Sequence, residues 1–303
     1  MRKIDYLITL AKIKHFRRAA EACHVSQPTL SSAIQHLEDE LGVTLFKRGQ
    51  KFVGLTPEGE RILAHAQRLA SNWDALKQEA ALCKEQLAGQ LKIGAIPTTL
   101  AVVPLLTESY RENHPHIRFQ IFSQCAEKII HQLDSFELDF GLTYLNDPRL
   151  KGFKTLPLYQ ERHVLLARQL ESDTLQKSLT WQEASKLPLC LLTTNMQNRQ
   201  LIDAAFREAN VKPNVIVETD SIFALYAHVR CAGLFAIVPH SLLALIEMRQ
   251  EVTAVPLTPT LSREIGLVAR REHLEMPVQQ ATWHLAKKLN LQARFDALID
   301  FVY

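Results

Sequence analysis

Residues 25–41 read VSQPTLSSAIQHLEDEL, and this segment has the features of a helix with two unlike faces. Ser26 is a typical N-cap, Pro28 is tolerated in the first turn and Gly42 ends the helix. One face is apolar and is formed by Leu30, Ala33, Ile34, Leu37 and Leu41. The opposite face presents Pro28, Ser32, Gln35, His36 and Asp39. Short uncharged side chains of this kind reach base edges in the major groove of DNA, although an ordinary solvated surface explains the helix alone equally well.

The segments on either side of this helix favour DNA binding. Apolar spacing predicts helices near residues 3–14 and 16–23. Residues 45–55, LFKRGQKFVGL, form two short strand-like runs around a turn that carries Lys47, Arg48 and Lys51. Such a basic hairpin can contact phosphates or the minor groove. Two helices, a recognition helix and a basic hairpin predict a winged helix-turn-helix over residues 1–58.

A long helix is predicted to follow as a linker over residues 59–89. Thr56, Pro57 and Glu58 form a strong helix start, and no helix breaker interrupts residues 60–88. Apolar residues alternate at spacings of four and three, which is the repeat of a coiled coil. We expect dimerisation through Ile62, Leu69, Trp73, Leu76 and Leu87. The alternative is a long helix that packs on its own domain.

The remaining residues alternate between strand and helix patterns, which predicts an α/β domain over residues 90–303. Two such series follow one another along the chain. We expect the last strand and helix to join the sheet of the first series. We therefore expect two lobes joined by two crossings, with lobe I over residues 90–162 and 266–303 and lobe II over residues 163–265. The fold class is thus α/β with a helical, winged N-terminal domain. Ligands are expected in the cleft between the lobes.

Composition limits the classes of protein to consider. The chain has 303 residues, of which 47% are hydrophobic and 22% charged, with a net charge of +3. Residues 1–90 carry 13 Lys and Arg against 10 Asp and Glu, so the whole positive excess lies there. No run approaches the ~18 apolar residues of a membrane helix, and no secretory signal is expected. Five scattered cysteines without a CxxC pair favour a reducing, cytoplasmic location.

The first 60 residues resemble the LysR-type transcriptional regulators. The match runs through Ala19-Ala20, residues 25–31, Leu45-Phe46 and residues 55–59, LTPEG. The resemblance implies a homodimer, or a dimer of dimers, that binds an interrupted inverted repeat in double-stranded DNA near a promoter and acts on RNA polymerase. It assigns DNA contacts to Gln27, Pro28, Thr29, Ser31, Ser32, Gln35, Arg48 and Lys51. Many relatives carry Arg where this chain has Ser32, and this departure removes a possible bidentate contact to guanine, so the resemblance does not fix the operator sequence.

The resemblance also implies an effector domain like a periplasmic binding protein, which senses a small molecule. Polar residues at strand ends and turns are the expected contacts, although each hydroxyl could equally be a helix cap. They are Thr98, Thr99, Leu100, Ser123, Gln124, Thr143, Thr194 and Asn195. The lining predicts a small polar or carboxylated effector. We expect no metal and no cofactor.

Three other classes of protein compete with this interpretation. An enzyme is disfavoured because the ten glycines include no GxG pair or phosphate loop, and HExxH and GxSxG are absent. A solute-binding protein would leave the first 90 residues unexplained. A thiol-based redox regulator of the same fold is the closest competitor, through Cys190 or Cys231. The turn over residues 193–198, where some relatives place a reactive cysteine, contains none.

Overall fold

The computed structural model describes residues 1–47, 53–82, 88–168, 178–245 and 252–300. The chain forms two compact units, residues 1–86 with 135–137 and residues 87–134 with 138–303. The first unit is helical, and the second is an α/β structure with two lobes. The predicted fold class is therefore confirmed. Among the described residues, no helix has the length and apolarity needed to cross a membrane.

The N-terminal unit has four described helices around one apolar core. They are α1 Arg2–Ile13, α2 Phe16–Ala22, α3 Gln27–Leu41 and α4 Pro57–Leu82. As predicted, the Ser26 side chain caps α3 by accepting from the Thr29 N–H, and Gly42 ends it in the left-handed conformation at φ 66°. Leu30, Ile34 and Leu37 face the core. The opposite side of α3 is thereby turned to solvent.

Backbone contacts hold the chain after α3 against the start of α4. Glu38 accepts hydrogen bonds from the N–H groups of Leu45 (2.6 Å) and Phe46 (3.1 Å). A Cβ atom on Gly59 would lie 2.1 Å from the Leu45 carbonyl oxygen, so only glycine permits this approach. Of the predicted hairpin, the structure describes an antiparallel bridge between Phe46 and Leu55. Arg48 and Lys51 lie outside the described residues.

The second unit alternates strands and helices. The described strands are β1 Gly89–Ala95, β2 Ile117–Ser123, β3 Phe140–Tyr144, β4 Lys154–Arg168, β5 Leu179–Thr180, β6 Leu189–Leu192, β7 Val215–Thr219, β8 Ala236–Pro239, β9 Val252–Thr258 and β10 Ser262–Ala269. The described helices are α5 Val103–Asn113, α6 Ala126–Asp134, α7 Trp181–Ala184, α8 Gln197–Glu208, α9 Ile222–Ala232, α10 Pro277–Lys288 and α11 Leu291–Asp300. Short 3₁₀ helices occur at Pro97–Thr99, Pro148–Leu150, His240–Leu245 and Glu272–Glu275.

One strand, β4, belongs to both lobes. Its first part pairs with β10, which lies between β3 and β4, and its last part pairs with β8 and β9. Lobe I is therefore built on β1, β2, β3 and β10, and lobe II on β5 to β9. The chain after residue 262 completes lobe I, as the sequence suggests. The two lobes meet along β4 near residues 159–163.

A short turn separates β1 from the first long helix of lobe I. Pro97–Thr99 form a 3₁₀ helix, and α5 begins only at Val103. Pro104 occupies the first turn of α5, where its missing N–H leaves no helical hydrogen bond unmade. The polar residues of the predicted effector turn therefore lie in a short tight turn ahead of the helix.

Candidate DNA-binding surface and effector cleft

The face of α3 opposite the core is exposed. Gln27, Pro28, Thr29, Ser32 and Gln35 are exposed, whereas Ser31 is half-buried. The side chain of Gln35 donates a hydrogen bond from Nε2 to Asp39 Oδ1 at 3.0 Å. The Ser26 and Thr29 hydroxyls lie 2.7 Å apart at the positive end of the helix dipole. This surface offers uncharged donors and acceptors, together with a helix N-terminus that favours phosphate.

Three large apolar side chains project from α4. Leu69, Trp73 and Leu76 are 48%, 44% and 56% exposed. Ile62, from the same predicted seam, instead packs partly against the core of the N-terminal unit. Leu87 lies outside the described residues. The middle of α4 therefore carries an unpaired apolar stripe, whereas its start belongs to its own domain.

The predicted effector turn contains two threonines with different roles. Thr99 is buried, and its hydroxyl donates to the Ile96 carbonyl at 2.9 Å and lies 3.3 Å from that of Leu142. Thr98 is also buried, and its hydroxyl makes no hydrogen bond of normal geometry with the described residues. Leu100 is half-buried and packs against the core of lobe I. The Thr98 side chain faces the Tyr144 hydroxyl, whereas the Thr99 hydroxyl is used by the backbone.

The other predicted effector residues do not converge on one point. Ser123 is exposed at the end of β2, and Gln124 is half-buried. Thr143 is fully buried, and strand alternation places it on the sheet face opposite to that of Tyr144. Thr194 and Asn195 are exposed in the turn before α8.

A buried polar cluster occupies the place where β4 crosses from one lobe to the other. We call it the crossover cluster, and its members are Thr98, Tyr144, Tyr159, Glu161, His163, Asn198, His240 and Ser241. Tyr144 donates to Glu161 Oε1 at 3.0 Å. Asn198 of lobe II donates from Nδ2 to the Tyr144 hydroxyl at 3.4 Å and to His163 Nε2 at 2.8 Å. The cluster therefore joins the lobes by direct hydrogen bonds.

Burial dominates the ionisation of this cluster. Desolvation raises the pKa of Glu161 to about 8, and the hydroxyls of Tyr144 and Tyr159 oppose this only in part. Desolvation also lowers the pKa of His163 and of His240 to about 4. All three groups are thus mostly uncharged at pH 7.

The sequence interpretation did not single out the crossover cluster beyond Thr98. The available signal was polar residues inside an apolar strand, because Glu161 and His163 directly precede the run Val164–Ala167. Inside a buried strand such residues need partners, which makes them candidates for a site. Their partners Tyr144 and Asn198 are far away in sequence, and no spacing pattern connects them.

The four described cysteines are unpaired, and no described group of acidic, His and Cys residues could hold a metal ion. Cys190 is fully buried in β6, and desolvation raises the pKa of its thiol. Cys231 is exposed near the end of α9. A raised pKa reduces the thiolate fraction, so Cys190 has the environment of an inert core residue.

Both units of the chain match known family models. Residues 1–60 match the bacterial regulatory helix-turn-helix protein model of the lysR family, and residues 84–290 match the LysR substrate binding domain.

Two curated relatives are regulators. A hydrogen peroxide-inducible genes activator of Haemophilus influenzae is 28% identical over 281 residues, which are 89% of this chain and 90% of the relative. The DNA-binding transcriptional dual regulator OxyR of Escherichia coli K12 is 36% identical over 166 residues, or 54% of each chain.

Solved structures share the architecture. A full-length OxyR variant of Pseudomonas aeruginosa superimposes with a TM-score of 0.72 at 29% identity, covering 94% of this chain and 92% of that one. CbnR, a LysR family regulator also solved with its target DNA, gives 0.65 at 20% identity, covering 95% and 98%, and supports the fold alone. The chain belongs to the LysR family of DNA-binding transcriptional regulators.

Proposed function

We propose that this regulator binds an inverted repeat in promoter DNA as a homodimer or a dimer of dimers, with α3 in the major groove. The observation that carries the proposal is the exposed, largely uncharged face of α3. Gln35 is suited to adenine, and Ser32 accepts several base edges. Arg48 and Lys51 would contact the backbone beside the groove.

Pairing through α4 supports the same proposal. LysR regulators bind DNA as oligomers, and a lone helix would leave Leu69, Trp73 and Leu76 in water. A second α4 helix would bury this stripe in coiled-coil fashion. Two copies would then present two recognition helices to two half-sites.

The second unit would control this binding through a small-molecule effector between the lobes. The crossover cluster lies where the two lobes meet and joins residues of both lobes by hydrogen bonds. A ligand that changes the angle between the lobes about β4 would change the position of one dimer relative to the other on DNA. It would thereby also change their contact with RNA polymerase. We propose a regulatory and non-enzymatic role. We also propose a cytoplasmic location, which the unpaired state of the four described cysteines supports.

The test is binding of the purified full chain to duplexes that carry two half-sites, with the spacing varied by one base pair at a time. We expect tightest binding at one spacing and at spacings longer or shorter by whole helical turns, about 10.5 base pairs, with footprints on one face of the duplex. Equal binding at every spacing, or no binding at low ionic strength, would contradict the proposal.

A thiol-based response is the second candidate, because several relatives are named activators of hydrogen peroxide-inducible genes. The double variant Cys190→Ser, Cys231→Ser separates the two candidates. A peroxide-dependent footprint that is lost in this variant would favour redox sensing. We expect an unchanged footprint in both proteins, since Cys190 is buried in an apolar core.

A further inference from the structure

We infer that Asp39 is a positioning residue for base reading: its carboxylate fixes the orientation of the Gln35 amide on the exposed face of α3. This inference rests on the proposed function, in which α3 enters the major groove, and it assigns a residue that determines specificity there. Gln35 and Asp39 are four positions apart on one helix, and both are exposed. Residues at this spacing are neighbours on a helix surface, so one side chain can orient the other.

The hydrogen bond between the two side chains can run in only one direction. Gln35 Nε2 donates to Asp39 Oδ1 at 3.0 Å. A carboxylate accepts hydrogen bonds and donates none, so the reversed amide would place two acceptor oxygens against each other. The amide nitrogen therefore lies on the side of Asp39, and the carbonyl oxygen Oε1 lies on the other side. Because Nε2 has two hydrogens, a donor and an acceptor remain side by side for a base.

The order of donor and acceptor matters because adenine offers the complementary order. In the major groove adenine presents N7 as an acceptor beside the N6 amino group as a donor, and a glutamine amide can bind both. A reversed amide would set donor against donor and acceptor against acceptor at adenine. It could still make single hydrogen bonds to thymine O4 or cytosine N4. An amide of fixed orientation therefore reads one base, whereas an amide that is free to reverse tolerates several.

The position of Asp39 is unfavourable for helix stability, which argues for a role in binding. Glu38, Asp39 and Glu40 occupy the last turn of α3, where the negative end of the helix dipole disfavours acids. Two of the three contribute to the fold, since Glu38 holds the chain after α3 and Glu40 pairs with Lys3 at 2.5 Å. Asp39 instead accepts from Gln35, on the face that would meet DNA.

The charge of Asp39 also opposes the general attraction between the protein and DNA. A carboxylate beside the groove repels phosphates, so it lowers affinity for every sequence. A residue that only supported the helix would weaken binding to all sequences when it is replaced. Replacement of Asp39 should instead preserve or strengthen binding to unrelated DNA while base discrimination falls. These two roles therefore predict changes of opposite sign.

The experiment measures binding of the full chain to a duplex that the unmodified chain selects from a random library, with one base pair varied at a time. Gln35→Ala first identifies the base pair that the amide reads. Asp39→Asn then keeps the size of the side chain but removes the charge, and its amide can also donate, so the Gln35 amide can reverse. We expect discrimination at that base pair to fall about threefold, because charge-assisted hydrogen bonds strengthen where water is excluded.

The melting temperature of Asp39→Asn and its binding to unrelated duplexes are the readouts that distinguish positioning from support. We expect an equal or higher melting temperature, since an acid leaves the negative end of the helix dipole. We also expect equal or tighter binding to unrelated duplexes. A lower melting temperature together with weaker binding to every sequence would show a structural role and would overturn the inference.

Glu40→Gln is the matched control, because it removes the same charge from the neighbouring position and its partner is Lys3 rather than Gln35. It should change discrimination at the base pair by less than about 1.5-fold. The double variant Gln35→Ala, Asp39→Asn should discriminate as Gln35→Ala does, because Asp39 acts through Gln35.

Three results at the base pair would overturn the inference. They are a fall of less than about twofold in Asp39→Asn, an equal fall in Glu40→Gln, and a further fall in the double variant beyond that of Gln35→Ala. An unaltered base preference in Gln35→Ala would overturn it as well. Failure of the proposed function is a different result, in which the unmodified chain selects no duplex from the library.

Discussion

The outer face of α3 and the crossover cluster are both polar, but the chain builds them in opposite ways. Gln27, Ser32 and Gln35 lie within nine consecutive positions of one helix and are exposed. The crossover cluster gathers residues between positions 98 and 241 and buries them. An exposed binding surface can be formed by residues that are close in sequence on one helix. A buried polar site requires the fold to bring together residues that are distant in sequence.

The largest predicted effect concerns the support of the α3 face. Gly59→Val should destabilise the N-terminal unit by about 3 kcal/mol, because its Cβ would overlap the Leu45 carbonyl. We expect calorimetry to show an earlier transition for this unit and loss of DNA binding. Exposed Glu60→Val is the control and should change little. Normal DNA binding by Gly59→Val would show that the close approach of Gly59 to the Leu45 carbonyl does not support the α3 face.

The second prediction concerns pairing of two α3 faces. Trp73→Asp places a charge in the α4 stripe and should lower the sedimenting mass to that of the monomer. Loss of the second half-site contact should weaken DNA binding about a hundredfold. Asn72→Asp adds the same charge beside the stripe and should alter neither quantity. An unchanged sedimentation profile for Trp73→Asp would refute the assignment of this stripe.

The third prediction separates base reading from phosphate contact. Gln35→Ala should reduce discrimination at one base pair by about 1–3 kcal/mol, because a bidentate amide contact is lost. Lys51→Ala should weaken binding to all sequences and reduce the salt slope by about one. Binding titrations over an operator library at several salt concentrations measure both. An unchanged base preference in Gln35→Ala would show that Gln35 makes no base-specific contact.

The smallest predicted effect is the pH dependence of the crossover cluster. Folded Glu161 holds its proton up to a pKa of about 8, whereas the unfolded chain releases it near 4.5, so this group makes stability fall as pH rises towards 8. His163 and His240 act in the opposite direction, but below their ordinary pKa of 6.5. Between pH 6.5 and 8, Glu161 should therefore lower stability by about 1 kcal/mol per pH unit.

Urea denaturation at pH 6.5 and pH 8 tests this effect. Glu161→Gln keeps an oxygen for Tyr144 and cannot ionise, so the fall attributed to Glu161 should disappear. Asp139→Asn changes a carboxylate in lobe I that belongs to another hydrogen-bond group, with Lys92 and Gln279, and should preserve the fall. The same fall in Glu161→Gln would show that Glu161 ionises normally.

The contrast between the two polar regions also explains how far the sequence could be interpreted. The N-cap Ser26 and the C-terminal Gly42 are local signals that the structure confirms. Of the predicted apolar stripe of α3, Leu30, Ile34 and Leu37 are buried, whereas Leu41 is 44% exposed at the end of the helix. The return of the last strand to lobe I also followed from pattern, because β10 had no other partner. Cap chemistry and periodicity need only neighbouring residues.

The cleft was harder to predict because distant residues form it. Thr98 and Thr99 are adjacent in sequence, yet the Thr98 side chain faces Tyr144 and the Thr99 hydroxyl is used by the backbone. Thr143 and Tyr144 are also adjacent, and strand alternation sends them to opposite faces. Which of two neighbours faces the cleft depends on strand register, and register depends on the complete sheet.

The position of β10 has a consequence for folding during synthesis. β10 inserts between β3 and β4, so lobe I lacks an interior strand until residues 262–269 have left the ribosome. Lobe II is encoded entirely within that interval and can close first. The nascent chain therefore carries an open sheet edge through much of translation, and protection of that edge by chaperones should influence the yield of native regulator.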